Sequence, residues 1–303
     1  MRIIFAGTPA PAVPSLMTLA EQHEIAAVLT RAPAPVGRKR ILTPSPVEAA
    51  ARELGIDVLT PTSLKGDEIQ QTIADLAPDA VAVVAYGLII PEALLTVPTH
   101  GWINLHFSRL PQWRGAAPVQ YAIAAGQTTT GIATFQIEKG LDTGPVFDMD
   151  EVEIGHRETA GELLERLSHS GAELLGRTLS DIAAGSARPR PQVGEPTHAP
   201  QLTAADGELD LTRPAAELDA HIRGFTPAPG TWTLWDGGRV KIGPAVPVPA
   251  DIPAGHIETG PDGVLLGTGE GALLLDRIAP PGKPWMAASD WARGVRGKVV
   301  WGA

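Results

Sequence analysis

The sequence contains no cysteine, which excludes a disulfide scaffold, a thiolate zinc site and a cysteine nucleophile. Long apolar runs are missing as well: the longest, residues 80–90, is too short to span a bilayer and includes a glycine. The N-terminal residues lack the apolar core of a signal peptide. We therefore expect a cytoplasmic protein that has no membrane partner.

Positive charge is scarce too, since 24 lysine and arginine residues face 34 acidic ones and the net charge is −10 at pH 7. This balance argues against a protein that coats nucleic acid through bulk charge. Basic residues nevertheless cluster at Arg38, Lys39 and Arg40, within a Pro- and Gly-rich segment, and again in 277–303. Charge runs are usually solvated surface, so neither cluster alone indicates a binding site.

Two common nucleotide-binding patterns are also absent. The first turn, at residues 7–11, lacks the G-x-G-x-x-G spacing that lets the backbone approach a pyrophosphate, and the chain has no P-loop pattern. We therefore predict neither NAD nor ATP as a cofactor, and no metal site.

Continuous apolar runs alternate with helical patterns through the N-terminal part of the chain. We predict strands at 3–6, 25–29, 56–59, 80–85 and 102–106. We predict helices at 14–20, 48–54, 67–76 and 119–125, and an exposed loop at 31–46. Continuous apolar strands are typical of sheets covered on both faces, so the alternation predicts an α/β fold with a doubly wound parallel sheet.

Proline concentrates at 185–200, which predicts an extended and semi-rigid linker. Beyond it, we predict a helix at 213–223 and short strands at 231–235, 239–242, 255–258, 263–266 and 272–277. Several short strands at this spacing favour a small β-barrel. The chain is accordingly divided into a first domain at 1–185, a linker at 186–203 and a second domain at 204–303.

The densest polar chemistry follows the strongest strand. Asn104 and His106 are two residues apart, so they share one face of the predicted strand. An Asn amide can donate to a developing oxyanion, and a His can donate to it or accept a proton. The pair can equally be a structural hydrogen-bonded pair. Asp142 is either an ordinary turn residue or a carboxylate that orients His106, and only proximity in space separates these readings.

Several stretches together carry a resemblance to the methionyl-tRNA formyltransferase family, along nearly the whole chain. The stretches are 2–9, 42–47, 85–91, 104–118, 140–144 and 198–203. The Asn-x-His…Leu-Pro core with a downstream Leu-Asp-Thr-Gly is shared by folate-dependent formyltransferases generally. The segments 114–118 and 199–203, together with the C-terminal domain, are similar to the tRNA enzymes in particular.

This resemblance implies formyl transfer from 10-formyltetrahydrofolate, as co-substrate, to the amino group of methionyl-initiator tRNA in translation initiation. It also implies a Rossmann-like first domain and an OB-type barrel as the second, tRNA-contacting domain.

The family's catalytic trio falls on Asn104, His106 and Asp142. Its folate-contacting stretch falls on Ser108, Arg109, Leu110 and Pro111, and we expect Tyr86, Gly87 and Leu88 to line the folate slot. The basic segment Arg38, Lys39 and Arg40 matches the loop that the family inserts against the acceptor stem, and we expect a monomer.

Some alternatives remain open at this stage. A sugar formyltransferase shares the Asn-His-Asp core, and a non-catalytic RNA-binding protein or a folate hydrolase would use parts of the same chain. The proton that the attacking ammonium loses has three candidate acceptors: His106, Asp142 and a bound water. The chain also has Phe107 and Arg109 where the family usually has a small residue and a leucine.

Overall fold

The computed structural model describes residues 1–37, 39–295 and 299–302, so Arg38 and, in the second basic cluster, Arg296 and Lys298 lie outside the described residues. Contacts divide the chain into two units. The first unit comprises Met1–Pro118, Thr130–Val152 and Leu164–Ala199, and the second comprises Val119–Thr129, Glu153–Leu163 and Pro200–Ala303. Within the described ranges, no helix is both long and apolar enough to cross a membrane.

The N-terminal two thirds of the chain alternate between strands and helices. The strands are β1 (Arg2–Gly7), β2 (Glu24–Leu29), β3 (Ala34–Val36), β4 (Ile41–Thr43), β5 (Val58–Leu59), β6 (Ala80–Val84), β7 (Trp102–His106), β8 (Arg114–Gly115), β9 (Thr129–Gln136), β10 (Val146–Glu153) and β11 (His198–Ala199). The helices are α1 (Val13–Gln22), α2 (Pro46–Glu53), α3 (Asp67–Asp75), α4 (Glu92–Leu95), α5 (Pro118–Ala124) and α6 (Ala160–Ala183).

Seven of these strands form one sheet in the order β10-β9-β7-β6-β1-β2-β5. Strands β5, β2, β1, β6 and β7 pair in parallel, whereas β9 pairs antiparallel to β7. Ile3, Ile4 and Phe5 of β1 are fully buried, as a strand covered on both faces requires. The parallel sheet predicted from the apolar runs is therefore confirmed. The antiparallel strand β9 and the edge strand β10 are an extension that the sequence analysis did not predict.

The predicted loop at 31–46 contains a short exposed hairpin, in which β3 pairs antiparallel to β4. Three apolar side chains stay on its surface, since Val36, Ile41 and Leu42 are each more than half exposed. Helix α6 was not predicted either. It begins with a capping box, in which the backbone N–H of Thr159 donates to the Glu162 carboxylate and the N–H of Glu162 donates to the Thr159 hydroxyl.

The C-terminal part is rich in strands. Its helices are α7 (Ala215–Gly224) and α8 (Ala288–Gly294). Its strands are β12 (Thr231–Trp235), β13 (Gly238–Ile242), β14 (Ala245–Val248), β15 (His256–Gly260), β16 (Gly263–Gly267), β17 (Ala272–Leu275), β18 (Arg277–Ala279), β19 (Met286–Ala287) and β20 (Val299–Val300). They form two sheets, β12-β13-β18-β19 and β14-β17-β16-β15-β20.

The prediction of one strand at 272–277 is wrong in its extent, because the chain changes sheets at Asp276. Strand β17 pairs with β14 and β16, whereas β18 pairs with β13 and β19. Strands that pass between sheets in this way make the corners of small packed β-structures. Trp291 and Trp301 are buried between these elements with ring centroids 5.2 Å apart, so both indoles belong to the core.

Candidate active site

Asn104 and His106 lie on β7, which pairs with β6 on one side and β9 on the other. His106 is the last residue of the strand, so its side chain lies at the carboxyl edge of the parallel sheet. Chain connections run in opposite directions from β1 at this edge, and ligands of open α/β sheets bind there. Asn104 is half-buried and His106 is buried, which shields both from bulk water.

The imidazole of His106 is held between a carbonyl and a carboxylate. Its Nε2 lies 3.0 Å from the backbone oxygen of Trp113, and because a carbonyl only accepts, Nε2 carries the hydrogen and donates it. Its Nδ1 lies 3.9 Å from Oδ2 of Asp142. The structure therefore brings Asp142, from a separate turn, to the far side of the same ring.

Burial is the main influence on the charge of this ring. It lowers the pKa of His106, while the negative charge of Asp142 and the bond to the Trp113 carbonyl act in the opposite direction. Histidine has an ordinary pKa of about 6.5, so the ring is neutral at pH 7. Its Nδ1 lone pair then faces a carboxylate, which is the arrangement that stabilises an added proton at Nδ1.

Asp142 is fixed by its carboxylate and by its backbone. Its backbone has a φ of 50°, in the left-handed region that Asp tolerates better than most residues. Its Oδ2 accepts a 2.7 Å hydrogen bond from the backbone N–H of Gly115. Its own carbonyl accepts a 2.8 Å bond from the side chain of Gln192, a residue that the sequence analysis did not single out.

Residues 190–199 run along this site rather than away from it. The backbones of Arg190 and Val146 exchange two hydrogen bonds of 2.8 Å, and the Thr197 hydroxyl accepts from the Trp113 N–H at 2.8 Å. Strand β11 then pairs with β8. Gly115 allows this approach, because a Cβ there would lie 2.5 Å from the carbonyl oxygen of Ala199.

Two buried polar atoms near the sheet edge have no hydrogen-bond partner in the described part of the chain: Oδ1 of Asn104 and the hydroxyl of Tyr86. Tyr86 follows β6, and burial raises the pKa of its hydroxyl far above the usual range, so the group is neutral. Gly87 comes next with a φ of 81° and is exposed, and Leu88 packs against the core beneath. A buried polar atom without a partner is costly unless a ligand or water supplies one.

The stretch Ser108–Pro111 follows His106 directly. The buried Ser108 hydroxyl donates to the backbone carbonyl of Gln112, which closes the loop on itself. Arg109 is ion-paired with Glu151. Leu110 is buried and, with Val146 and Gln192, lines a cavity of about 660 Å³.

Two residues of the basic segment, Lys39 and Arg40, lie between β3 and β4 of the exposed hairpin. Lys39 and Arg40 are exposed, and Arg40 has a φ of 50° at the turn. Arg38 lies outside the described residues. Among the residues that the structure does describe, no three His, Asp or Glu side chains converge as metal ligands.

Comparisons with known proteins agree along the chain. A family model described as formyl transferase matches residues 1–179, and one described as formyl transferase, C-terminal domain, matches residues 201–296. The chain is 56% identical over 298 residues to a methionyl-tRNA formyltransferase from Paenarthrobacter aurescens, covering 97% of each chain. It is 51% identical over 303 residues to one from Corynebacterium diphtheriae, covering 98% of this chain and 97% of that one.

Solved structures share the fold. An N-formyltransferase from Helicobacter canadensis, in complex with folinic acid and dTDP-3-aminofucose, superposes with a TM-score of 0.67. It is 17% identical, and the match covers 91% of this chain and 97% of that one.

Proposed function

The chain belongs to the methionyl-tRNA formyltransferase family, and from this premise we propose that it transfers the formyl group of 10-formyltetrahydrofolate to the amino group of methionyl-initiator tRNA. The observation that carries the proposal is the approach of Asp142 to His106 at the carboxyl end of a strand that also carries Asn104. His106 Nδ1 lies 3.9 Å from Asp142, and Asn104 stands two residues before His106 on the same strand. These are the donor, base and carboxylate that acyl transfer to an amine needs.

The reaction passes through a tetrahedral intermediate. The free amine of methionine attacks the formyl carbon, a C–N bond forms, and the formyl oxygen becomes an oxyanion. Asn104 donates to this oxyanion from its amide, and His106 donates from Nε2 in place of its bond to Trp113. Each such donor contributes about 3 kcal/mol to lowering the barrier. The bond between the formyl carbon and N10 of the folate then breaks, and N10 takes up a proton to give tetrahydrofolate.

Proton transfer falls to the His106–Asp142 pair. The attacking ammonium must lose a proton before it can act as a nucleophile. The ring is neutral at rest, and its Nδ1 lies 3.9 Å from Oδ2 of Asp142, close enough for the charge of the carboxylate to act on a proton that the ring takes up. A proton on Nδ1 of His106 is stabilised by the charge of Asp142, and Nε2 then donates to the oxyanion more strongly. The Gly115 N–H keeps the carboxylate oriented for this role.

The residues around the site fit a folate co-substrate. The unpartnered Asn104 Oδ1 and Tyr86 hydroxyl are free to pair with the polar groups of a formylated pterin. We assign Tyr86, Gly87 and Leu88 to the slot for this co-substrate, where the exposed Gly87 offers backbone polar groups over an apolar base. We assign Ser108, Arg109, Leu110 and Pro111, which follow His106 in the chain, to the same co-substrate. The Ser108 hydroxyl acts there by shaping the loop, since it donates within it.

We assign a role to each part of the chain, including the parts that contact tRNA. Residues 1–185 are the catalytic domain, 186–203 the linker and 204–303 an OB-like domain that contacts tRNA. The protein acts as a monomer in the cytoplasm, where charged initiator tRNA is available, and needs no metal. Arg38, Lys39 and Arg40 contact the acceptor stem through its phosphates, which an acidic protein can reach with a local basic hairpin.

The function is tested with labelled formyl donor and four acceptor conditions: methionyl-initiator tRNA, methionyl-elongator tRNA, dTDP-3-aminofucose and none. We expect formyl-methionine on the initiator tRNA, at a kcat/KM about tenfold or more above that for the elongator tRNA. Transfer to the amino sugar alone would identify a sugar formyltransferase. Release of formate without any acceptor would identify a hydrolase, and either result would overturn the proposal.

Reversal of charge on the exposed hairpin is expected to weaken tRNA binding without affecting the chemical step. For the variant with Lys39→Glu and Arg40→Glu, we expect KM for initiator tRNA to rise about tenfold, with kcat within about twofold of wild type. The dependence of log KM on log salt should become shallower by about 0.7–0.9 for each lost phosphate contact. The exposed Lys65→Glu is the matched control. An unchanged KM and salt slope would remove the hairpin from the tRNA-binding surface.

A further inference from the structure

The side chain of Gln192 connects two segments of the candidate active site. Its Nε2 donates to the backbone carbonyl of Asp142 at 2.8 Å and to that of Gly144 at 2.9 Å. Its Oε1 accepts from Nη2 of Arg114 at 2.7 Å and from Nε at 3.2 Å. Both amide hydrogens and the amide oxygen are therefore used, and all of these contacts lie within the first unit.

The turn that carries Asp142 has little other support. Most of residues 138–143 are exposed, and Leu141 next to Asp142 is 64% exposed. Asp142 itself has a left-handed backbone, which a non-glycine residue adopts at a cost of about 1 kcal/mol or more. Such a conformation persists where the surroundings fix it. The amide of Gln192 fixes the backbone from Asp142 onward, since it binds the carbonyl of Asp142 and that of Gly144.

We propose that Gln192 is a positioning residue that holds the Asp142 turn, and with it the carboxylate, against His106. The inference rests on the proposed function and deepens it, because it assigns the segment 186–203 a part in catalysis as well as in joining domains. Arg114, whose guanidinium donates to Gln192, directly precedes Gly115 on β8. The backbone N–H of Gly115 in turn donates to the Asp142 carboxylate. Gln192 thus fixes the backbone of Asp142 relative to the same strand that fixes its side chain.

The chemistry of the amide is required at this position. A carboxylate of the same shape, as in Gln192→Glu, would keep the contact with Arg114 but place an oxygen against two carbonyl oxygens. A thioether of similar length, as in Gln192→Met, would remove all of these hydrogen bonds while filling the space. Both changes release the turn, although they have opposite effects on the pairing with Arg114. A common outcome for both variants therefore points to the turn and not to Arg114.

The test measures kcat, KM and the pH profile of the full-length chain with Gln192→Met and Gln192→Glu. We expect kcat to fall about 10- to 100-fold with both variants, while KM for tRNA and for the folate stays within about threefold. The charge of Asp142 raises the pKa of His106, so retreat of the carboxylate should move the His106 titration to lower pH. Gln71→Met, at an exposed position of α3, is the matched control and should leave all values unchanged.

Two further measurements separate positioning from general stability. In an Asp142→Asn background, Gln192→Met should lower kcat by less than about a further twofold, because Gln192 acts through a carboxylate that is already gone. An NMR titration of His106 reads the same shift without any substrate, so it remains informative even if the wild type formylates no tRNA. Additive losses with Asp142→Asn, or an unshifted His106 titration, would overturn the inference.

Discussion

Replacement of His106 by alanine is expected to lower kcat for formyl transfer by about three orders of magnitude while the affinity for initiator tRNA stays within about threefold. In the proposed mechanism, the imidazole supplies one donor to the oxyanion and takes part in holding the proton from the attacking amine. Loss of the donor alone costs about two orders of magnitude, and loss of the base adds to it. The basic hairpin assigned to tRNA lies elsewhere in the chain, so the affinity for tRNA should be retained when catalysis is lost.

This prediction needs two controls, because His106 is only 5% exposed and alanine leaves a cavity behind. His106→Gln fills more of the space and can still donate to the Trp113 carbonyl, but it holds no extra proton, so it should lose about two orders of magnitude or more. His156→Ala, at an exposed position, should retain full activity. A folded His106→Ala protein that keeps wild-type turnover would remove His106 from the chemistry and favour a non-catalytic RNA-binding protein.

The parallel part of the fold was predictable because its strands are continuous apolar runs. Ile3 to Phe5 and residues 80–84 are buried on both faces. Strands buried on both faces have no alternating polar residues, so they stand out in the sequence as uniform apolar runs. Strand β10 was not predicted, because it has no continuous apolar run: its residues are exposed or half-buried, and half of them are acidic. The break at Asp276 was also missed, since a change of sheet leaves no mark on the local hydrophobic pattern.

The candidate site was predictable only in part. The i, i+2 spacing of Asn104 and His106 follows from strand geometry, but the approach of Asp142 depends on where a turn 36 residues further along the chain folds back. Gln192 gave no usable signal. It stands in a proline-rich segment that is typical of a linker, and its role arises from carbonyl groups, which no sequence pattern displays.

Replacement of Asp142 by asparagine is expected to lower kcat by about 10³- to 10⁴-fold, the size of effect seen when a histidine-orienting carboxylate is made neutral. Asparagine has the same shape and can still accept the Gly115 N–H through its oxygen, so the turn should stay folded. The oxygen that accepts from Gly115 is also the one that faces Nδ1 of His106, so in asparagine a neutral amide oxygen faces the ring and an added proton has no charge to stabilise it. Transfer therefore loses both a charge and a base.

The direction of the expected shift in the His106 titration follows from the influences on its pKa. The charge of Asp142 raises the pKa of His106 against the larger lowering by burial, so its removal leaves burial opposed only by the bond to Trp113. The His106 titration should then move to lower pH, both in the pH profile of kcat/KM and in an NMR titration of the free protein. Asp148→Asn, in an exposed part of β10, is the matched control and should change neither. An Asp142→Asn protein whose His106 titrates at higher pH, or not differently, would show that the carboxylate does not act on the ring, and the coupled proton transfer proposed for this pair would have to be abandoned.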